Sequence, residues 1–340
     1  MHRSSGVAVP EVTARKEAVV TQDTVGVTAL PARMRAISQE SAGGPDVLTL
    51  VEVDRPVPGP TEVLVRVHAA GVNPTDWKRR ASAGFPSILG FDVSGVVDAV
   101  GPGVTVFAPG DEVFGMPRFP HPAGAYAEYV TAPARHFAAK PDGIDHVHAA
   151  ALPLAALTAW QALVDTANVQ PGQRVLIHAA AGGVGHLAVQ IAKARGAYVI
   201  GTARRAKHEF LFGLGADEAI DYSQVDFAEA AGDIDVVLDP VAGDYGPRSL
   251  RTLRTGGILV QLLPGFTEAL SPQTRKLGVR ATFMFVEPDR AGLQAISALV
   301  RSGQLQAEID TVLPLESAGK AHEIGEAGRT TGKLVLTVTQ

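Results

Sequence analysis

The chain has 340 residues, of which 46% are hydrophobic and 19% charged, and its formal net charge is −5. This length predicts two modest domains, and the composition lacks the basic excess with which a dedicated nucleic-acid binder neutralises phosphates. The absence of cysteine excludes disulfides, thiolate nucleophiles and Cys-ligated zinc sites.

Residues 1–33 precede the first convincing strand pattern and contain acidic residues but no long apolar block. They resemble neither a secretory signal nor a transit peptide, and we predict a disordered extension. The longest apolar run, 149–160, is interrupted by Pro153 and is shorter than the roughly 18 residues that a membrane span needs. We therefore expect a cytoplasmic protein with neither a membrane nor a nucleic acid as partner.

Short β-type runs separated by glycine and proline occupy the next part of the chain and predict a compact barrel-like domain. These runs cover 48–53, 62–69, 93–100, 112–115 and 126–131. A helical stretch over 149–166 follows, and the pattern then changes to strands that alternate with helices. The candidate strands are 174–179, 197–202, 219–222, 234–239, 257–262 and 279–285. This alternation predicts a parallel, doubly wound sheet, and hence an α/β protein.

The tail from about residue 287 contains two amphipathic helical stretches and a final strand, 333–338. It does not have the pattern of a separate domain, so we expect it to return to the barrel. The predicted domains are therefore a discontinuous barrel domain, 34–156 with 287–340, and a nucleotide-binding domain, 157–286.

A glycine-rich loop follows the first strand of the second domain. The strand 174–178 runs into AAAGGVG, 179–185, and then into an apolar-periodic helix. Small residues let the backbone approach a pyrophosphate, and the start of the helix offers free N–H groups to it. Ala180 replaces the first glycine of the usual fingerprint, and a tight turn without a ligand is the alternative interpretation. The predicted dinucleotide contacts in this loop are Ala181, Gly182, Gly183, Val184 and Gly185.

The end of the next strand bears on the choice of cofactor. In such folds an acidic residue about 20 positions beyond the glycines accepts the ribose hydroxyls of NAD, whereas NADP requires cations there. Here Thr202 is followed by Arg204, Arg205 and Lys207, and the first acid is Glu209. One or two charged hydrogen bonds, at about 1.5–3 kcal/mol each, would favour NADPH by roughly tenfold to several hundredfold. We predict NADPH, although these cations could instead be solvated first-turn residues of a helix.

Several ordered motifs together make the sequence similar to a known superfamily. They are GVNPTDWK at 71–78, GFDVSGVV at 90–97, VG at 100–101 with GDEVF at 110–114, the loop 179–185, and GKLVL at 332–336. Over 34–338 the chain resembles the medium-chain dehydrogenase/reductases, specifically the zinc-free quinone oxidoreductase-like members that include plant enone and alkenal reductases. The resemblance implies a GroES-like barrel domain, a Rossmann domain, an active site in the cleft between them, and a homodimer.

The same resemblance indicates that zinc is absent. In the zinc alcohol dehydrogenases of this superfamily, the matching segments supply a Cys, a His and a Glu. Here those places hold Asn73, Phe91 and Asp92, a set without thiolate or imidazole that suits zinc poorly. His146 and His148 stand two apart, so on a helix they form no obvious metal pair.

Without zinc, reduction of a quinone or an α,β-unsaturated carbonyl remains accessible, provided that a donor stabilises the developing oxyanion. The resemblance to the enone reductase pattern suggests Lys78 for this role; a surface lysine paired with Asp76 or Asp92 is the alternative. Asn73 and Asp76 are expected to shape the nicotinamide side of the cleft through hydrogen bonds, or to be purely structural. Asp92 would orient Lys78 or a backbone turn.

The remaining candidates are cofactor contacts. The resemblance suggests Thr158 near the cofactor, Tyr222 beside the adenosine phosphate, and Lys333 of the closing motif. Val241 and Gly243 follow the fourth strand, where the carboxyl ends of parallel strands form the dinucleotide crevice. Phe285 is expected to border the nicotinamide pocket, with core packing as the alternative.

Three functions are compatible with these sequence features. The leading hypothesis is an NADPH-dependent reductase of quinones, enones or enals. A pathway-specific enoyl or ketone reductase would use the same residues on a larger substrate. An NADPH-binding sensor or interaction protein would bind the nucleotide with little turnover.

Overall fold

The computed structural model describes residues 1, 32–82, 87–264 and 270–338. The extension predicted over 1–33 therefore lies almost entirely outside the described residues, and Arg33 already belongs to the first strand. The strands are β1 (Arg33–Gln39), β2 (Thr49–Asp54), β3 (Glu62–Val72), β4 (Ser87–Ile88), β5 (Asp92–Val100), β6 (Glu112–Gly115), β7 (Tyr129–Pro133), β8 (Phe137–Ala139), β9 (Arg174–Ile177), β10 (Tyr198–Thr202), β11 (Glu218–Ile220), β12 (Ile234–Asp239), β13 (Leu253–Gln261), β14 (Arg280–Phe283), β15 (Ile309–Pro314) and β16 (Lys333–Thr337).

The helices connect these strands and cap the sheets. They are α1 (Pro74–Arg80), α2 (His146–Ala150), α3 (Pro153–Trp160), α4 (Gly185–Ala194), α5 (His208–Gly213), α6 (Phe227–Ala230), α7 (Tyr245–Thr252), α8 (Ser271–Leu277), α9 (Arg290–Arg301) and α10 (Ala318–Glu326). Local sequence explains several of their starts. For example, the Asp289 carboxylate accepts hydrogen bonds from the N–H groups of Ala291 and Gly292 at 2.9 and 2.7 Å and so caps α9.

The barrel-like part contains two of the sheets that the described residues form. One has the order β2-β1-β4, and the other β15-β16-β3-β5-β6-β8, with β7 also paired to β3. β16 pairs antiparallel with the end of β3, from Leu334 opposite Val72 to Thr337 opposite Ala69. The tail of the chain thus returns to the barrel sheet. The domain boundaries at 156/157 and 286/287 stay a prediction.

The second part is a sheet of order β11-β10-β9-β12-β13-β14 in which every pairing is parallel. All six residues of β12 are buried, as expected for a central strand that helices cover on both faces. Together with the barrel, this sheet confirms the predicted α/β fold with GroES-like and Rossmann parts.

Helix α3 joins the two parts through a common core. It is buried from Pro153 to Ala159. The same apolar cluster contains Phe91 and Phe114 from the barrel and Val175 and Leu187 from the parallel sheet and its helix. The two parts therefore share one apolar core. None of the helices in the described part of the chain is long and apolar enough to cross a membrane.

Candidate functional site

The glycine loop, residues 179–185, runs from the end of β9 into the first residue of α4 and has a backbone that only small residues permit. A Cβ on Gly185 would lie 2.7 Å from the Cα of Ala180 and would also strike the carbonyl oxygen of Ala179. A Cβ on Gly183 would meet only the Lys333 side chain and the Gly332 carbonyl, at 3.4 and 3.6 Å. Gly185 is thus required for helix packing, whereas Gly183 leaves an open cradle.

His186 fixes this loop from behind. Its Nδ1 lies 2.8 Å from the Gly182 carbonyl oxygen, and its Nε2 accepts a hydrogen bond from the Glu308 N–H at 3.2 Å. These partners suit a neutral imidazole that donates from Nδ1. Burial lowers the pKa of His186 to about 4, so the ring stays neutral near pH 7 and ties the loop to the segment before β15.

The outer cavity, of about 460 Å³, lies at the carboxyl ends of β10 and β12. Its described lining residues are Ala179, Ala181, Gly182, Thr202, Ala203, Arg204, Ala206, Lys207, Tyr222, Val241, Tyr245, Gly328, Arg329 and Thr330. Three of them are cations and none is a carboxylate. This end of the cleft is therefore suited to a polyanion.

Lys207 bridges the two sides of the outer cavity. Its Nζ donates hydrogen bonds to the carbonyl oxygens of Arg329 and Thr330, both at 2.9 Å. Arg204 is exposed on the rim, whereas the side chain of Arg205 does not line the cavity and its backbone N–H donates to Asp221. Of the three predicted cations, Arg204 and Lys207 are thus brought together and Arg205 is not.

The inner cavity, of about 360 Å³, continues along the glycine loop into the barrel. Its described lining residues are Val72, Asn73, Pro74, Trp77, Leu154, Ala155, Ala179, Gly182, Gly183, Val184, Gly185, Pro240, Gly325, Gly328, Thr330, Gly332, Lys333 and Leu334. The two cavities share four residues: Ala179, Gly182, Gly328 and Thr330. They therefore form one groove past the start of α4.

A buried charged cluster lies at the barrel side of the inner cavity. Asn73 Nδ2 donates to Asp92 Oδ2 at 2.7 Å, and Lys333 Nζ donates to Asn73 Oδ1 and to the Val72 carbonyl oxygen. Lys333 Nζ lies 3.7 Å from Asp92 Oδ2, and both side chains are almost completely buried. Burial raises the pKa of Asp92 and lowers that of Lys333, while each charge opposes the shift of the other.

Asp76 lies behind this cluster and does not line either cavity. Its Oδ2 accepts hydrogen bonds from the Asn73 N–H at 2.7 Å and the Tyr126 hydroxyl at 3.0 Å. Its Oδ1 has no partner among the described residues. Burial raises the pKa of Asp76 to about 7. Asp76 therefore reaches the cleft through its hydrogen bond with the Asn73 N–H and through its charge, which acts on Lys333.

Other predicted residues lie outside the two cavities. Lys78 is exposed in α1, where the buried positions are Asp76 and Arg80. Helical geometry rotates position 78 away from that buried face, so Lys78 does not contact Asp92, which instead pairs with Asn73 and Lys333. Thr158 is buried, and its Oγ1 donates to the Leu154 carbonyl oxygen at 2.6 Å.

Phe285 and the residues after β12 complete the predicted set. Phe285 lies beyond the end of β14, is 55% exposed, and its ring centroid is 5.3 Å from that of Phe119 in the barrel. Tyr222 and Val241 line the outer cavity, and Gly243 has a φ of +65° in the turn before α7. Phe285 is therefore a partly exposed aromatic side chain next to the barrel.

Sequence reasoning missed several residues that line the groove. Arg329 and Thr330 come from the segment between α10 and β16, while Trp77 lies in α1 and Leu154 in the first turn of α3. For Arg329, its position three residues before the closing GKLVL motif was an available signal.

The places that hold zinc ligands in zinc dehydrogenases have a poor donor set here. Asn73 offers one amide, Phe91 offers no donor, and Asp92 already accepts from Asn73 and from the Leu154 N–H. Within the described ranges, no group of three His, Cys, Asp or Glu side chains could hold a metal ion. His146 and His148 instead have the carboxylate partners Glu112 and Asp145.

The sequence matches two families. Residues 59–142 match the alcohol dehydrogenase GroES-like domain, and residues 214–336 match the family described as zinc-binding dehydrogenase. A 2-haloacrylate reductase from a Burkholderia species is 36% identical over 324 residues, covering 86% of this chain and 96% of that protein.

Two further similarities bear on function. The pikromycin polyketide synthase component PikAII of Streptomyces venezuelae is 38% identical over 300 residues, 82% of this chain, but this chain spans only 8% of that protein. The crystal structure of Escherichia coli quinone oxidoreductase complexed with NADPH superimposes with a TM-score of 0.81 at 30% identity, covering 89% of this chain and all of that chain.

Proposed function

The chain belongs to the medium-chain dehydrogenase/reductase superfamily and is an oxidoreductase, and from this premise we propose that it is an NADPH-dependent, zinc-independent reductase of quinones or α,β-unsaturated carbonyl compounds. The observation that carries the proposal is the continuous groove along the glycine loop, with Arg204, Lys207 and Arg329 at one end and Asn73 at the other. A bound nicotinamide would supply a hydride to an electron-poor carbon of the substrate.

The groove fits a dinucleotide phosphate in three ways. The open cradle at Gly183 admits a pyrophosphate close to the start of α4, where backbone N–H groups attract anions. The cations of the outer cavity would neutralise a 2′-phosphate, and Thr202 and Tyr222 add hydroxyl groups there. This arrangement supports NADPH over NADH.

Zinc independence is supported by the donor set. The sequence contains no cysteine, and the only carboxylate in the three ligand places, Asp92, is engaged by Asn73, Leu154 and Lys333. An acceptor that is already electron-poor, such as a quinone or an enone, needs no Lewis acid to receive hydride. The similarity to a 2-haloacrylate reductase and a quinone oxidoreductase supports this class of substrate.

Lys78 remains our candidate for the oxyanion donor. Its exposed side chain would have to reach a bound substrate from the rim of the cleft, since it does not line the described cavities. The variant Lys78→Ala tests this role, because loss of an oxyanion donor lowers kcat by about 10²–10³. An unchanged kcat would reject the assignment.

A pathway-specific enoyl reductase is the second candidate. The match to a segment of the pikromycin polyketide synthase component favours it, because it shows this sequence type within a biosynthetic assembly.

We also propose a homodimer and a cytoplasmic location. The parallel sheet ends in β14, whose outer edge has no strand partner among the described residues, and such an edge can pair with a second copy.

Turnover with a panel of quinones, enals and enones tests the proposal, with NADPH and NADH compared by loss of nucleotide absorbance. We expect kcat/KM to favour NADPH by about tenfold or more and to survive treatment with a chelator. Equal turnover with NADH would reject the cofactor assignment, and loss of activity on chelation would reject zinc independence. Tight NADPH binding without turnover would support the sensor hypothesis.

A further inference from the structure

Asp92 connects three segments that are distant in sequence. Its Oδ2 accepts from Asn73, at the end of β3, and its Oδ1 accepts from the Leu154 N–H, at the start of α3, both at 2.7 Å. Lys333, at the start of β16, lies 3.7 Å away. We call these four residues the buried junction. Asp92 is fully buried within it, so its carboxylate has no access to water.

The buried junction determines which way the Asn73 amide points. Asn73 Oδ1 accepts from the Lys333 ammonium, and Asn73 Nδ2 donates to the Asp92 carboxylate. Rotating the amide by 180° would place its NH₂ against the ammonium and its oxygen against the carboxylate. Both contacts would become repulsive inside a region of low dielectric constant. The ion pair therefore fixes one amide orientation.

One N–H of Asn73 remains available in this orientation. A primary amide has two N–H donors, and Asp92 uses one of them; no second acceptor is found among the described residues. Asn73 lines the inner cavity opposite the glycine loop. The glycine loop lies close to the segment before β16, because the Gly332 N–H donates to the Ala181 carbonyl oxygen at 3.0 Å.

We propose that Asp92 and Lys333 are positioning residues that orient Asn73 so that its remaining N–H donates to the nucleotide bound in the groove. The inference rests on the nicotinamide cofactor of the proposed function and adds a role for the place where zinc dehydrogenases hold metal ligands. Lys333 acts through Asn73 and does not bind the nucleotide directly. Its Nζ donates to the Val72 carbonyl oxygen and to Asn73 Oδ1, and its charge is paired with Asp92 at 3.7 Å, so the ammonium is held by the buried junction.

A double-mutant cycle on NADPH affinity, measured by fluorescence titration without substrate, tests this mechanism. Asn73→Ala, Lys333→Met and Asp92→Asn should each raise the Kd for NADPH by about tenfold, because each removes or misorients the same donor. In Asp92→Asn the new amide has a single oxygen, which could not serve both the Asn73 and Leu154 donors. Since all three act through one amide, Lys333→Met added to Asn73→Ala should raise the Kd by no more than about twofold further.

Additive losses, about a hundredfold in the double variant, would overturn the positioning role and indicate direct contact of Lys333 with the nucleotide. An unchanged Kd in Lys333→Met, with a raised Kd in Asn73→Ala, would also overturn it. Lys333→Arg retains the positive charge and should keep the Kd within about threefold of wild type. If Asp92→Asn does not fold, the cycle of Lys333 and Asn73 decides alone.

The matched control is Arg55→Met. It breaks another largely buried ion pair, Arg55 with Asp98, in the barrel and outside both cavities, so it should lower the melting temperature without changing the Kd. Because the readout is binding, a wild type that binds NADPH but turns over no substrate would reject the proposed function and leave this inference intact. A wild type that does not bind NADPH would overturn both.

Discussion

Lys207 is a cation of the outer cavity that already has hydrogen-bond partners across the cleft. Its ammonium donates to two carbonyl oxygens of the segment between α10 and β16, which leaves one N–H for a ligand. Burial lowers the pKa of Lys207, and the charge of Arg204 acts in the same direction. A phosphate between the two cations would offset both effects. The outer cavity should therefore bind most tightly a ligand with a localised negative charge.

Arg204 and Arg205 provide a matched test of this interpretation. Arg204→Ala should raise the KM for NADPH about tenfold and leave the KM for NADH within about twofold, because one charged hydrogen bond contributes about 1.5–3 kcal/mol. Arg205→Ala should change neither constant appreciably, since its side chain does not line the outer cavity. Steady-state kinetics with both nucleotides would show the difference. Equal losses for NADPH and NADH in Arg204→Ala would contradict phosphate recognition.

At the scale of the element, two glycines of the glycine loop, Gly183 and Gly185, have different surroundings. Gly185 packs against the backbone of Ala179 and Ala180, whereas Gly183 faces only the Lys333 side chain and the Gly332 carbonyl at ordinary contact distance. Backbone atoms cannot move aside for a new methyl group, but a flexible lysine side chain can. We therefore expect Gly185 to be required for folding and Gly183 for binding.

Alanine substitutions should reveal this separation. Gly185→Ala is expected to destabilise the fold by about 1–3 kcal/mol through overpacking, seen as a lower melting temperature. Gly183→Ala should leave the melting temperature within a few degrees and weaken NADPH binding, because its methyl group occupies the cradle for the pyrophosphate. Calorimetry and fluorescence titration of both variants would distinguish the effects. A large loss of stability in Gly183→Ala would show that this glycine also serves packing.

The elements were predictable where their patterns are local. The strands 112–115 and 234–239 agree with β6 and β12, and the strand–loop–helix order at 174–194 is as expected. β3 continues three residues beyond the predicted end at 69, because its last residues pair with β16, more than 260 positions away. β15 was missed: its alternation of half-buried and exposed residues becomes a strand through its pairing with β16.

The residues of the candidate site were likewise predictable where they belong to local motifs. Motif spacing placed Thr202, Arg204 and Lys207 at the end of β10, and they line the outer cavity. The partners of Asp92 could not be read from the sequence, because Asn73, Leu154 and Lys333 meet only when barrel strand, connecting helix and tail assemble. Contacts between distant segments depend on tertiary packing, which local periodicity does not encode.

At the scale of the whole molecule, buried titratable groups couple stability to pH in opposite directions. Burial lowers the pKa of His178 and His322 to about 3, and that of His68 and His186 to about 4. Below pH 6.5, the ordinary pKa of histidine, these residues take up protons in the unfolded chain but stay neutral in the folded protein. Their contribution to stability is therefore lost as the pH falls. The contribution of Asp76 to stability changes with pH in the opposite direction. Its pKa rises from 3.8 to about 7 on folding, so its contribution is present at low pH and is lost as the pH rises through 7.

Two variants should separate these contributions between pH 4 and 6.5. The wild type is expected to lose stability as the pH falls in this window, because the four histidines with lowered pKa outnumber Asp76 and Asp92, the buried carboxyl groups with raised pKa. His178→Gln removes one group that resists protonation and should make the loss shallower by up to about 1.4 kcal/mol per pH unit. Asp76→Asn removes one opposing group, keeps an oxygen for the Asn73 N–H and the Tyr126 hydroxyl, and should make the loss steeper by a similar amount. Denaturant unfolding across the window measures both slopes, and a change of the same sign in the two variants would contradict the assigned pKa directions.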